Sequence, residues 1–214
     1  VTPTLDHQPQ AYVEQLLAQK TQAWGAKGAT AIVMDTRTGA ILTMANAPTF
    51  DANRFATAPA AARRNRAVTD VYEPGSTFKI VTIAAALEDN IVSPLSTFTL
   101  PPRIQVADRV IREAHVRGTE TMTVRQILAE SSNVGTVTIA ERLGRGAVAA
   151  WIDRFGFGKA TGIDYPGEST GMVLPLEGWS GSTIGTVPLG QGIAVTPLQM
   201  ISAYAAIGGG GILP

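Results

Sequence analysis

Val71-Tyr72-Glu73-Pro74-Gly75-Ser76-Thr77-Phe78-Lys79 runs directly into the apolar stretch Ile80-Val81-Thr82-Ile83-Ala84-Ala85-Ala86-Leu87. Pro74-Gly75 forces a turn. A helix that starts near Ser76 puts positions 76 and 79 on one face, because residues three apart are neighbours on a helix. The Ser76 hydroxyl and the Lys79 amine then share one space. A serine hydroxyl is a poor nucleophile until a base takes its proton. A lysine serves as that base only when its pKa is lowered, by burial or by the positive end of a helix dipole. The run 80–87 is apolar on every side, which predicts a buried helix and a dry site for Lys79. Taken alone the tetrad is weak, since short motifs recur by chance. Its plain alternative is a capped helix with a solvated lysine, Ser76 being a good N-cap type.

Composition narrows the possible functions. The chain has 214 residues, 45% of them hydrophobic and 16% charged, enough to bury a sizeable core. Seventeen basic residues balance seventeen acidic ones, which argues against a nucleic-acid partner. Cysteine is absent, excluding disulfides, thiolate metal sites and cysteine nucleophiles. Asp153, Asp164 and Glu168 lack metal-ligand spacing, so neither a metal nor a cofactor is expected. The longest apolar run, 80–87, is far short of the about 20 residues of a membrane span, and no signal peptide is visible. The opening Val1-Thr2-Pro3 suggests that upstream segments have been removed. The two histidines, His7 and His115, leave a Ser-His-Asp triad open, but Lys79 is the more economical base.

Around this stretch the patterns predict an α+β layout. Tyr12, Val13, Leu16 and Leu17 mark an amphipathic helix over 10–23. Ala29 to Asp35 and Ala40 to Ala45 read as two strands about the turn Thr36-Arg37-Thr38-Gly39. A helix followed by a hairpin suggests an antiparallel sheet covered by helices. The exposed hairpin edge is a liability unless something pairs with it. Residues 47–70 look irregular, and their arginines (Arg63, Arg64, Arg66) read as a solvated face or as a ribbon leading into the active site. Residues 93–122 are turn-rich with short alternating runs. Further helices are expected from Thr123, over Asn133 to Leu143, over Gly146 to Phe155 and over Thr196 to Ile207, the last stopped by Gly208 to Gly211. Residues 159–192 read as loop.

Ser131-Ser132-Asn133 falls between two helical patterns. Such residues ordinarily cap helices and make turns. The functional alternative is a second hydroxyl that relays a proton from Lys79, with an amide that bonds both the lysine and a substrate. Two hydroxyls, an amine and a carboxamide make a histidine-free acyl-transfer site. Gly190-Gln191-Gly192 lacks the lysine and the strand–helix context of a phosphate loop and reads as a backbone turn.

Ser76-x-x-Lys79 with Ser131-x-Asn133 is similar to motifs of penicillin-binding proteins and serine β-lactamases. Longer blocks agree in order and spacing. Asn65 to Lys79 resembles the active-site entry of class B penicillin-binding proteins. So do Thr4-Leu5-Asp6, the hairpin Val33 to Ala40, Pro48 to Asn53, Ala129 to Gly135, Phe155 to Gly158 and Gly190 to Met200. The resemblance covers nearly the whole chain and is closest to the septal or sporulation transpeptidases.

It implies a single transpeptidase domain over 1–214 with the penicillin-binding fold, an antiparallel sheet packed by helices plus an all-helical subdomain. It also implies a D,D-transpeptidase acting on peptidoglycan stem peptides. Ser76 would be the nucleophile and Lys79 the general base. Ser131 would shuttle a proton and Asn133 would hold lysine and substrate, while the Ser76 N–H would form half of the oxyanion hole. β-Lactams would acylate Ser76. The expected place is the extracytoplasmic face of the bacterial membrane, beside membrane-bound cell-wall synthesis partners, with the anchor outside this chain. The family's Lys-Thr/Ser-Gly motif is expected past Pro214, since Lys159-Ala160-Thr161-Gly162 carries an inserted residue. The C-terminal strands would then be absent from this chain, and its activity alone impaired. A serine β-lactamase and a non-catalytic β-lactam sensor remain as alternatives. Ser131-x-Asn133 differs from the Ser-x-Val of class D β-lactamases, and no extra base for a deacylating water is evident.

Overall fold

The computed structural model describes residues 3–214. In chain order its elements are α1 (His7–Ala23), β1 (Ala29–Met34), β2 (Ile41–Ala47), α2 (Arg66–Thr69), α3 (Lys79–Glu88), β3 (Thr97–Leu100), β4 (Arg103–Val106), β5 (Arg109–Arg112), β6 (Glu120–Thr123), α4 (Val124–Ala129), α5 (Asn133–Leu143), α6 (Arg145–Arg154) and α7 (Pro197–Gly208). Short 3-10 turns intervene. The described residues form two compact units, one of residues 3–71, 159–170 and 196–214, the other of residues 72–158 and 171–195.

The first unit is the expected helix-covered hairpin. β1 and β2 pair antiparallel with a bulge at Val33/Met34. Their turn is closed by Asp35, which accepts from Arg37 N at 2.8 Å. The apolar interior gathers Ala67, Val68 and Leu198 against Ile32, Met34, Ile41, Met44, Ile163 and Ile201. Helix α7 starts at a capping box, Thr196 accepting from Gln199 N while the Gln199 side chain accepts from Thr196 N. Sequence periodicity makes Tyr12 and Leu16 core residues of α1, but both are exposed.

The outer edge of β2 is covered from the N-terminal side. Thr4 Oγ1 donates to Ile41 O at 2.6 Å and Asp6 N to Leu42 O at 2.9 Å. The Gln10 amide then brackets Met44, accepting from its N–H at 2.8 Å and donating to its carbonyl at 3.1 Å. Residues 4–10 thus give this edge the partners that an exposed strand lacks.

The second unit is largely helical but not all-helical, which corrects the expectation for this part of the chain. Residues 97–123 hold two short antiparallel pairs, β3 with β6 and β4 with β5. Four-residue strands carry too little alternation to stand out from a turn-rich segment. Helix α3 is the centre of this unit and packs on α5 and α6. Val81, Ile83, Ala85 and Ala86 are all buried, as the unbroken apolar run requires. Phe78, fully buried, packs its ring 5.0 Å from that of Phe157 in a tilted arrangement, and burial of a side chain this size contributes roughly 1.5–3 kcal/mol.

Candidate active site

The segment before α3 is not the α-helix that the spacing suggests. Gly75–Phe78 is a 3-10 turn and the α-helix begins at Lys79. Ser76 therefore does not cap a helix, and no side chain closes this terminus. Two glycines set the geometry. Gly75 has φ +57° and Gly190 has φ +74°, a region glycine enters without steric cost. Gly75 N donates to Gly190 O at 3.0 Å. A Cβ on Gly190 would lie 2.3 Å from Gly75 O, so the close approach needs glycine there. Gly192 N donates to Glu73 Oε1 at 2.8 Å, and Tyr72 bridges antiparallel to Val195. The Gly-Gln-Gly turn is thus stitched to the Ser76 turn.

Ser76 is exposed, and its hydroxyl has no hydrogen-bond partner among the described residues. Its N–H lies in a first helical turn, where backbone donors have no intrahelical acceptor. Lys79 is only 1% exposed. Its Nζ donates to Ser131 O at 2.5 Å, to Ser131 Oγ at 2.9 Å and to Asn133 Oδ1 at 2.7 Å. All three acceptors are uncharged. Burial pushes the amine down from its ordinary 10.5 to about 8; the Glu113 carboxylate pulls it partly back and the Arg117 guanidinium adds to the fall. At pH 7 about a tenth of such lysines are neutral, against about one in three thousand for an unperturbed one.

The Ser131-Ser132-Asn133 junction divides the two roles its sequence allowed. Ser132, fully buried, is the cap: it precedes α5 and accepts from Gly135 N at 2.9 Å. Ser131 and Asn133 flank it and meet Lys79. Ser131 has φ +55°, a conformation L-residues rarely adopt. Of the three acceptors on Lys79, only the Ser131 hydroxyl can reverse its role. It accepts from an ammonium or donates to an amine, whereas a carbonyl and a carboxamide oxygen only accept. Asn133 Nδ2 donates to Arg112 O at 2.9 Å, which turns its oxygen toward Lys79.

Ser76, Lys79, Ser131 and Asn133 thus lie in one unit, with Lys79 in contact with both Ser131 and Asn133. Two residues without a sequence signal of their own, Glu113 and Arg117, complete the junction. Glu113 accepts from Ser132 Oγ at 2.5 Å and from Asn133 N at 2.8 Å, and Arg117 lies 3.4 Å from Glu113. The arginines of 63–66 belong to the first unit: Arg64 and Arg66 pair with Asp70, and Arg63 lies over the Phe55 ring. His115 is exposed.

A serine and a buried lysine one turn apart, with a second serine and an asparagine on the lysine, are groups of the kind that histidine-free acyl transfer requires. Residues 29–214 match the penicillin binding protein transpeptidase domain, and the chain belongs to that family. It is 38% identical over 213 residues to the penicillin-binding protein PbpB of Mycobacterium tuberculosis, covering 99% of this chain and 31% of the relative. It is 36% identical over 210 residues to the peptidoglycan D,D-transpeptidase FtsI of Escherichia coli, covering 98% and 35%. The chain thus spans about a third of the length of these relatives. Penicillin binding protein 3 of M. tuberculosis, solved in complex with aztreonam, superposes with a TM-score of 0.92 at 37% identity, over 96% of this chain and 46% of that one. The same protein has been solved with ampicillin.

Proposed function

We propose that residues 1–214 belong to the transpeptidase domain of a peptidoglycan D,D-transpeptidase of the class B penicillin-binding type. The protein would act on stem peptides at the extracytoplasmic face of a bacterial membrane, alongside membrane-bound cell-wall synthesis partners. The observation that carries this reading is the buried Lys79 amine held by three uncharged acceptors, one of them a hydroxyl.

Neutral Lys79 takes the Ser76 hydroxyl proton as Oγ attacks the penultimate D-alanine carbonyl. The tetrahedral oxyanion forms beside the free Ser76 N–H; a lost oxyanion donor costs about a hundred- to a thousand-fold in rate. When the C–N bond breaks, the leaving D-alanine amine needs a proton. Ser131 gives its own and is refilled from the Lys79 ammonium. An amine from a neighbouring stem then attacks the Ser76 ester, and the protons return along the same path. A β-lactam follows the first half of this course, but its leaving nitrogen stays tethered to the acyl group.

Incubation with a fluorescent penicillin, read by gel and by intact mass, tests this. A stable adduct is expected on Ser76 and none on Ser76→Ala. Rapid turnover to the hydrolysed antibiotic would instead favour a β-lactamase. An adduct that survives in Ser76→Ala would refute the nucleophile.

A further inference from the structure

We propose that Glu113 is a positioning residue of this site, holding the Ser131–Asn133 junction in the shape that presents Ser131 and Asn133 to Lys79. The inference rests on the reaction proposed above. Glu113 follows β5, and its side chain is only 3% exposed. A carboxylate is almost never buried so fully unless it is paired. Here one oxygen accepts from the Ser132 hydroxyl at 2.5 Å, and the other accepts from Asn133 N at 2.8 Å and from Arg117 Nη2 at 3.4 Å.

Ser132 is the cap of α5 and Asn133 its first residue. The carboxylate therefore lies where the helix dipole favours a negative charge. Its neighbour Arg112 grips the same asparagine by the other end, through the bond from Nδ2 to the Arg112 carbonyl. Segment 112–113 thus fixes both the backbone and the amide of Asn133, leaving Oδ1 for Lys79 at 2.7 Å. A residue in a rare backbone region persists only when its surroundings over-determine it. For Ser131 the clamp on the next two residues supplies that constraint.

The clamp is also charged. Glu113 does not touch Lys79, yet it favours the ammonium, and Arg117 disfavours it. Arg117 is itself faced by Glu130 at 3.3 Å and Glu120 at 3.7 Å. Removing the Glu113 charge should lower the Lys79 pKa, so the rising limb of the acylation rate should move to lower pH. Removing the Arg117 charge should move it to higher pH.

The experiment measures acylation by a fluorescent penicillin across pH 6–10, separating the acylation rate constant from the preceding binding constant. The parent is compared with Glu113→Gln, Glu113→Asp and Arg117→Gln. For Glu113→Gln the rate constant is expected to fall about 10- to 100-fold, the scale of a small misplacement of reacting groups. Binding should change little, the midpoint should fall, and Glu113→Asp should recover most of the rate. A Glu113→Gln protein that melts early but acylates with the parent rate constant and midpoint would overturn the proposal. If Glu113→Gln does not fold, Arg117→Gln decides: an unchanged midpoint defeats the idea. The Cε shift of Lys79 in carbon-13 lysine-labelled protein, assigned through Lys79→Ala, follows the same titration without any acylation. A silent parent enzyme with a Glu113-dependent Lys79 titration would sink the reaction but keep the clamp.

Discussion

Two cations of this chain, the half-buried Arg66 of the first unit and the buried Lys79 of the second, are held in opposite ways. Arg66 in the first unit touches a carboxylate, Asp70 Oδ2, at 2.7 Å. Lys79 in the second touches a carbonyl, a hydroxyl and a carboxamide, and its nearest carboxylate influence, Glu113, acts at one remove. A direct ion pair makes the charge permanent, and an arginine cannot lose its proton in any case. Uncharged acceptors satisfy the ammonium's three N–H groups but do not repay its full desolvation, so the proton is held loosely. The first arrangement suits a structural tie between neighbouring turns of chain. The second suits a base.

The largest effect should come from removing the loosely held cation. Lys79→Ala deletes the proposed base, and general-base catalysis is worth about a hundred- to ten-thousand-fold. Acylation by a fluorescent penicillin should slow on that scale at pH 8, with the fold retained by circular dichroism. Parent-like acylation of this variant would end the base assignment.

A smaller change would make the second site resemble the first. Asn133→Asp places a carboxylate where Lys79 now meets a carboxamide, at 2.7 Å. An opposite charge at that range raises a lysine pKa by about 1–3 units. The sign is definite. Lys79 would stay protonated to higher pH, so the rising limb of acylation, expected near pH 8 in the parent, should move upward. The rate at pH 7 should fall about tenfold or more. The pH–rate profile checks this, and a limb that stays near pH 8 would mean that Lys79 does not set it.

The contrast also marks what a sequence can show. The Ser76–Lys79 spacing is local, and the apolar run after it foretells burial, so the loosely held lysine could be read directly. Ser131 and Asn133 were legible as residue types at a helix junction, though only the three-dimensional contacts separate the capping role of Ser132 from the other two. Glu113 was not legible. It stands in a turn-rich stretch where most acids are solvated, and its burial comes from the start of α5, twenty residues away. A helix N-terminus invites an acid, but nothing local says which of seventeen will answer. The 3-10 start at Gly75 was hidden for a related reason. It is fixed by Gly190, far along the chain, rather than by the residues that adopt it. Likewise the short strands of 97–123 are defined by their partners more than by their own patterns.

The smallest expected effect belongs to the permanent cation. Asp70 accepts from Arg66 at 2.7 Å, from Arg64 Nε at 2.6 Å and from Thr69 Oγ1 at 3.1 Å. Asp70→Asn keeps the shape and removes the charge. Arg66 cannot answer by losing its proton, so the change appears only as lost stability. Partly exposed pairs of this kind are worth little singly, and the two together should cost about 1 kcal/mol, a fall in Tm of about 2–4 °C for a chain this size. The acylation midpoint should not move, because a titration that belongs to Lys79 has no reason to follow a pair locked by direct contact. A melt combined with the pH–rate profile measures both quantities on one sample. A midpoint that shifts with Asp70→Asn would show that the two cations are coupled, and the division between structural and titrating charge would have to be redrawn.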